Sequence, residues 1–196
     1  MYKYYQLYKP YKMLCQFAPE RKKRTLAHLN YEFAEGTNAL GRLDDNTEGL
    51  LLLTNNKKVN AALMNPKHKH ERNYWVQVHG IPTEDELNQL RNGVDIILEG
   101  NLYKTLPGKA EIIPHPENLP PRKHPVGTHF ATTWIKLTLI EGKFHQIRKM
   151  TAAINHQTMR LIRVSIEGIE IKEFIPEQII EINEADFFEK LKLEIV

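Results

Sequence analysis

The residues best suited to chemistry lie in one polar turn, residues 41–49 (GRLDDNTEG), which stands directly before the apolar run 50–54. This Asp44 turn brings a carboxylate, Asp44, close in sequence to the guanidinium of Arg42. Catalytic groups are commonly carried by loops that rigid elements support, so the turn is a candidate active-site loop. Composition alone favours a simpler interpretation, an Asp- and Asn-rich turn whose side chains bond their own backbone.

The other candidate groups do not indicate a metal. His68 and His70 stand close together, but no further ligands accompany them, and a polar loop is the commoner role of such a pair. The single cysteine, Cys15, excludes an internal disulfide and a thiolate metal cluster and fits a reducing compartment. We therefore predict no metal site.

Composition bounds the class of protein. The 196 residues are 41% hydrophobic and 26% charged, which suffices to bury a core in one domain. The excess of 27 Lys and Arg over 24 Asp and Glu permits nucleic-acid binding without establishing it. The chain contains neither a signal-peptide core nor a run of about 18 apolar residues. We expect a soluble, cytoplasmic monomer without membrane association.

Hydrophobic periodicity predicts the elements that must position the turn. The predicted elements are strand 2–8, strand 50–54, helix 57–64, a strand through Tyr74, Val76 and Val78, a helix after Thr83, a strand through Ile135, Leu137 and Leu139, helix 145–154, strands 161–166, 169–171 and 179–182, and a helix from Asn183 through Leu191. The helix after Thr83 is well marked, because Thr83 and Glu86 form a capping box and Gly93 supplies a stop.

The order of these elements favours one fold class. Strands outnumber helices and do not alternate strictly with them, which predicts an α+β fold with a mixed, mostly antiparallel sheet rather than a doubly wound fold. Residues 114–128 contain five prolines with Arg122, Lys123 and His124, and they predict a long basic surface loop.

Several segments together resemble the RsuA/RluE family of pseudouridine synthases. The Asp44 turn with run 50–54 is similar to the signature loop of that family, and Lys9-Pro10 is similar to its first motif. Tyr74 resembles the active-site tyrosine, residues 141–150 (EGKFHQIRKM) the third motif, and residues 160–164 the strand after it. These pieces occur in the order that the family shows and cover nearly the whole chain.

The resemblance implies a fold and a substrate. It implies a single catalytic domain, residues 1–196, of the pseudouridine synthase fold, with helices flanking the sheet and two halves around an active-site cleft. The N-terminal S4-like module of many members is expected to be absent. The expected partner is ribosomal RNA of the large subunit. Phe144-His145 departs from that pattern toward small-subunit enzymes, which leaves the target nucleotide open.

The resemblance also implies roles for individual residues. Asp44 is expected to be the catalytic carboxylate, Arg148 the cation that keeps it ionised, and Tyr74 an aromatic stacked on the uracil. No external cofactor is expected. Whether Asp44 attacks the sugar or removes a C2′ proton stays open, although the family implies the latter. Without the resemblance, Arg148 would be an exposed helical cation and Tyr74 an inward-facing strand residue.

A second group of residues is expected to bind the substrate. Leu161 is expected to line the pocket under the flipped base, with a plain core position as the alternative. Phosphate contacts are expected from Arg42, Lys149, His145 and Arg163 and from the neighbouring cations Lys143, Arg160, Arg122 and Lys123. A solvated basic surface is the alternative for that group, and a surface ion pair is the alternative for Arg42.

Two other functions compete with the synthase hypothesis. A non-enzymatic RNA-binding or ribosome-assembly protein would keep the basic face but would leave the combination of Asp44, Tyr74 and Arg148 as a coincidence. A carboxylate-based hydrolase would require a second acid or a metal set, and neither stands out in the sequence.

Overall fold

The computed structural model describes residues 1–65, 68–122, 126 and 129–194, and these divide into two compact units. The first unit comprises Met1–His70 with Arg163–Val196, and the second comprises Glu71–Ile162. The strands are β1 (Tyr4–Lys9), β2 (Asn38–Leu40), β3 (Glu48–Thr54), β4 (Arg72–His79), β5 (Asp95–Leu98), β6 (Asn101–Lys104), β7 (Lys109–Ile113), β8 (Thr132–Leu139), β9 (Thr158–Ile166), β10 (Ile169–Glu170) and β11 (Ile179–Ile182). The helices are α1 (Lys57–Met64), α2 (Glu84–Asn92), α3 (Gln146–Ala153) and α4 (Glu184–Leu191).

The sheet of the first unit is built around β1. This strand runs antiparallel to β11 on one side and to β3 on the other, with Leu7 opposite Leu51 and Lys9 opposite Gly49. All seven residues of β3 are buried. Because successive side chains of a strand point to opposite faces, a fully buried strand requires a cover on each face of the sheet.

Two hydrophobic clusters supply those covers. Leu50 and Leu52 belong to a cluster with residues of α1 and α4, among them Phe187. Leu51 and Leu53 belong to another, formed with Met13, Leu26 and Leu29 of the segment that follows β1. Residues 50–53 are therefore all apolar because each face of the strand meets a separate core.

Side-chain caps begin the two helices of this unit. The Asn56 amide oxygen accepts from the Lys58 N–H at the start of α1, and Asn183 accepts from the Asp186 N–H at the start of α4. These caps satisfy backbone donors that the first turn of a helix leaves without partners. Both helices begin where the sequence predicted.

The second unit contains the strand order β4-β8-β7, in which β8 runs antiparallel to both neighbours. Tyr74 lies opposite Leu137 in this ladder. The core of the unit joins the inward residues of β4 and β8 to apolar side chains of α2 and α3. Helix α2 has the predicted capping box of Thr83 and Glu86, and Gly93 ends it at φ 85°.

Strand β9 contributes residues to both units, since Ile162 and Arg163 belong to different ones. The α+β class with a mixed sheet is confirmed. Strands β2, β5, β6 and β7 were not predicted. Residues 114–122 of the predicted basic loop form no strand or helix, whereas Lys123 and His124 lie outside the described residues, as does Pro66 after α1.

Candidate active site

The Asp44 turn lies immediately before β3 in the first unit. Thr47 N–H donates to the Asp44 carbonyl at 3.0 Å, which closes the turn, and the strand begins at Glu48. The Asp44 side chain is half-buried, while Leu43 on one side and Thr47 on the other are buried. A half-buried carboxylate on a turn anchored at both ends is held in place and still has access to a ligand.

The last residue of β1 and the six residues after it brace the residues on either side of Asp44. We call residues 9–15 the bracing segment. The Cys15 thiol lies 3.3 Å from both the backbone nitrogen and the carbonyl oxygen of Leu43, accepting from the former and donating to the latter. The Asp45 carbonyl accepts from the Lys12 N–H at 2.6 Å and from Lys9 Nζ at 3.4 Å. The backbone on each side of Asp44 is therefore tied to the same segment.

Lys9 is the most unusual group of the bracing segment. It is 0% exposed, and its ammonium also donates to the carbonyls of Pro10 and Met13 at 3.0 and 2.8 Å. Burial lowers the pKa of Lys9 to about 8, because the charged form loses its hydration. The Cys15 thiol and the nearby carboxylates of Asp45, Glu48 and Asp44 oppose that shift.

Sequence reasoning singled out Lys9 only as part of a motif and assigned no role to Cys15. Lysines are mostly exposed in folded proteins, so the sequence carries no local sign that Lys9 will be buried. Glu48, a further carboxylate beside this group, is 2% exposed and accepts from the Tyr8 hydroxyl at 3.4 Å. The sequence gives no sign that this carboxylate is buried.

Tyr74 and Leu161 come together in the core of the second unit. They are 8% and 4% exposed and belong to one cluster with Ile147 and Met150 of α3. Tyr74 alternates with the buried Val76 along β4. The cluster groups the predicted aromatic and the predicted apolar pocket residue with the helix of the third motif.

Arg148 lies on α3, half-buried, between the buried Ile147 and the half-buried Lys149. The loop before this helix is organised by Glu141, whose carboxylate accepts from Gln146 Nε2 at 2.7 Å and from the Tyr103 hydroxyl at 2.6 Å. The bond to Glu141 raises the pKa of Tyr103 to about 12. This network positions the start of the helix that carries Arg148.

The predicted phosphate-binding residues differ in exposure. Arg42 is exposed, whereas His145 and Lys149 are half-buried. Lys149 Nζ donates to the Ile97 carbonyl at 2.7 Å, and the His145 ring stacks on Phe144 with centroids 3.9 Å apart. Arg163 is 4% exposed, and its Nε donates to the Leu50 carbonyl at 2.8 Å.

Two further observations bear on the kind of site. Among the residues that the structure describes, no three His, Cys, Asp or Glu side chains are grouped so as to hold a metal ion. Within the same residues, no helix is long and apolar enough to cross a membrane.

Comparison with known proteins identifies the family. The family model for RNA pseudouridylate synthase matches residues 3–153, which include Asp44, Tyr74 and Arg148. The chain belongs to the RNA pseudouridylate synthase family. The predicted family is thereby confirmed, and the match covers both units in part.

Named relatives agree with this assignment. A protein of Vibrio vulnificus (strain CMCP6) named ribosomal large subunit pseudouridine synthase E is 43% identical over 170 residues, covering 86% of this chain and 70% of the relative. A protein of the same name from Xanthomonas axonopodis pv. citri (strain 306) is 37% identical over 174 residues, covering 87% of this chain and 88% of the relative. A solved structure described as a pseudouridylate synthase matches with a TM-score of 0.77 at 26% identity, covering 97% of this chain and 74% of that one. The predicted pseudouridine synthase fold is confirmed.

Proposed function

We propose that this protein isomerises one uridine of large-subunit ribosomal RNA to pseudouridine, with Asp44 as the catalytic carboxylate. The observation that carries the proposal is a carboxylate on a turn braced on both sides, in a chain of the RNA pseudouridylate synthase family. The relatives named above as large-subunit synthases support ribosomal RNA as the substrate.

The reaction balances without an external cofactor. The bond from C1′ of the ribose to N1 of uracil breaks, the base turns, and a bond forms from C1′ to C5. The hydrogen on C5 is then lost and N1 gains one, so the product is an isomer of the substrate and nothing is oxidised or reduced. The chemistry requires a carboxylate near the sugar, a cation and a pocket that retains the free base.

The first unit supplies the carboxylate and its support. Cys15 and Lys9 act as positioning residues, because they hold the backbone of Leu43 and Asp45 and thereby set the direction of the Asp44 side chain. A misplacement of about 1 Å can reduce turnover by about 100-fold. The bracing segment therefore has a direct bearing on turnover.

A second group of residues is proposed to bind the base. Tyr74 stacks on the flipped uracil, Leu161 contributes apolar surface below it, and Arg148 is the cation of the reacting site. Stacking contributes roughly 1–3 kcal/mol per base, which offsets much of the few kcal/mol that base flipping costs. The shared core cluster of Tyr74 and Leu161 supports this grouping.

Contacts with the RNA backbone come from exposed and half-buried basic side chains. Arg42 is the exposed one, and His145 and Lys149 lie at the helix of the third motif. The bond from Arg163 to Leu50 favours a structural contribution from Arg163 in addition to any phosphate contact. The proposal includes a monomer acting in the cytoplasm on ribosomal RNA.

The decisive experiment maps pseudouridine across ribosomal RNA by carbodiimide adducts, in cells that lack the protein and in cells re-supplied with variants. We expect one large-subunit site to disappear on deletion and to return with the wild type but not with Asp44→Asn. Asp45→Asn is the matched control, because its backbone carbonyl still accepts from Lys9 and Lys12.

Two results would contradict the proposal. Restoration of the site by Asp44→Asn would exclude Asp44 as the essential carboxylate. Persistence of every ribosomal RNA site in the deletion strain would remove the substrate assignment, and binding without turnover would then favour the RNA-binding protein over the enzyme.

A further inference from the structure

A short basic hairpin projects from the first unit. It comprises residues 18–25, and its turn is closed by the Lys23 N–H, which donates to the Glu20 carbonyl at 3.2 Å. Residues 18–24 are all exposed. The turn presents Arg21, Lys22 and Lys23 side by side next to the single carboxylate of Glu20, so the hairpin is a compact positive surface.

Three of the four cations of the basic hairpin form no side-chain hydrogen bond or ion pair with the described residues. Arg24 forms a two-bond ion pair with Glu177, at 2.8 and 3.2 Å. For the side chains of Arg21, Lys22 and Lys23, the described part of the chain offers no hydrogen bond or ion pair. Adjacent like charges repel each other and favour an anionic partner in solution.

An aromatic cavity of about 410 Å³ lies next to the two ends of the basic hairpin. Phe17 before the hairpin and Leu26 after it both line this cavity, together with Tyr31 and Phe33. The Tyr31 and Phe33 rings lie 4.8 Å apart, and Tyr31 is 38% exposed. Since Arg21 is four residues from Phe17, its Cα lies at most roughly 14 Å from that of Phe17.

The basic hairpin is also tied to the segment that braces Asp44. Leu14 N–H donates to the Arg24 carbonyl at 2.8 Å, and Leu26 N–H donates to the Gln16 carbonyl at 2.9 Å. Cys15, between those two contacts, bonds the backbone of Leu43. A ligand on the hairpin is therefore held in a set relation to the Asp44 turn.

We propose that the basic hairpin and the aromatic cavity form a second RNA subsite, which takes a single-stranded nucleotide segment flanking the target uridine. Phosphates bind Arg21, Lys22 and Lys23, and an unstacked base enters the cavity against Tyr31. This subsite rests on the proposed function for its substrate. The combination of cations with an aromatic platform suits single-stranded RNA, because every base has a face that can stack and every nucleotide carries a phosphate.

Charge removal tests the hairpin half of the subsite. The variant is Arg21→Gln with Lys22→Asn and Lys23→Gln, in which Asn is chosen because Lys22 has φ 60° and Asn tolerates that conformation. The control removes the same charge from exposed lysines elsewhere in this unit, as Lys57→Gln with Lys58→Gln and Lys190→Gln.

Binding is measured by fluorescence anisotropy with a labelled single-stranded RNA of about 20 nucleotides, between about 50 and 200 mM NaCl. Three lost phosphate contacts should reduce the slope of log affinity against log salt by about 2 and weaken binding at 100 mM salt by about 10- to 100-fold. The control should keep the slope of the wild type. Equal slopes for the two variants would overturn the hairpin site and favour a generally basic surface or a protein partner.

Loss of the ring tests the cavity half. Tyr31→Ala should weaken binding of the same RNA by about 5- to 100-fold without changing the salt slope, because stacking involves no counterion. Tyr31→Phe should restore the affinity, and Tyr2→Ala, at another exposed tyrosine, should leave it unchanged. Equal affinities of Tyr31→Ala and Tyr2→Ala would overturn the stacking assignment. Thermal unfolding of each variant confirms that the fold is retained.

All binding measurements are made in the Asp44→Asn protein, so their outcome does not depend on turnover. A failure of the reaction would appear as unchanged pseudouridine maps with intact hairpin-dependent binding. A failure of the subsite would appear as normal maps with binding that is insensitive to the hairpin. The two outcomes are thus distinguishable.

Discussion

Replacing Lys9 by Met should remove a rise in the free energy of unfolding that the wild-type protein shows at alkaline pH. Met keeps much of the apolar stem and removes the ammonium that donates to the Pro10, Met13 and Asp45 carbonyls. The pKa of Lys9 is lowered from 10.5 to about 8, chiefly by burial. In the unfolded chain the same lysine keeps its ordinary pKa.

The sign and size of the effect follow from proton binding. Below pH 8 both states hold the proton, so this group adds no pH dependence. Between pH 8 and 10.5 the folded state has released the proton and the unfolded state has not, so stability rises with pH. The difference between the two pKa values raises the free energy of unfolding by about 2 to 3 kcal/mol at pH 10 relative to pH 7. Lys9→Met lacks this gain.

Urea unfolding followed by circular dichroism at pH 7, 8, 9 and 10 measures the difference in the free energy of unfolding between wild type and variant. That difference should grow by about 2 to 3 kcal/mol across the series in favour of the wild type. Other titrating groups are common to both proteins and cancel. Lys58→Met, at an exposed lysine, should give a difference that does not vary with pH. A constant difference for Lys9→Met would refute a buried lysine that loses its proton near pH 8.

Two further predictions concern the support of the Asp44 turn. Cys15→Ala removes both contacts with the Leu43 backbone and should lower kcat by about 10- to 100-fold in steady-state assays while KM changes little. Cys15→Ser should recover part of the loss, and equal loss in both variants would exclude hydrogen bonding as the cause. Gly49→Ala would place a Cβ 2.2 Å from the Arg163 carbonyl at φ +103° and should cost more than about 3 kcal/mol in the free energy of unfolding, measured by urea titration. Gly142→Ala, with open space around the added Cβ, should be nearly neutral, and a similar cost in both would point to a general effect of losing glycine.

Local signals were sufficient for many of the elements. The capping box of Thr83 and Glu86 and the cap at Asn183 act within one helical turn, so the sequence contains all the groups involved. The run 50–54 likewise predicted a buried strand from its own composition. By contrast, the sequence does not predict β5 and β6, because Ile97 and Leu102 are apolar but exposed, so that apolar and polar residues do not alternate along these strands.

The sequence by itself determined the family, the α+β class and the residues that are candidates for chemistry, because these depend on local patterns and motif order. Only the tertiary structure decided that Lys9 is buried, that Cys15 hydrogen-bonds to Leu43, 28 residues further along the chain, and that Arg163 donates to the carbonyl of Leu50. Burial and hydrogen bonding between distant segments depend on which surfaces the folded chain brings together, and the identity of a lysine, cysteine or arginine does not reveal its future neighbours. For the same reason, the sequence does not show that Phe17 and Leu26, on either side of the basic hairpin, line one aromatic cavity.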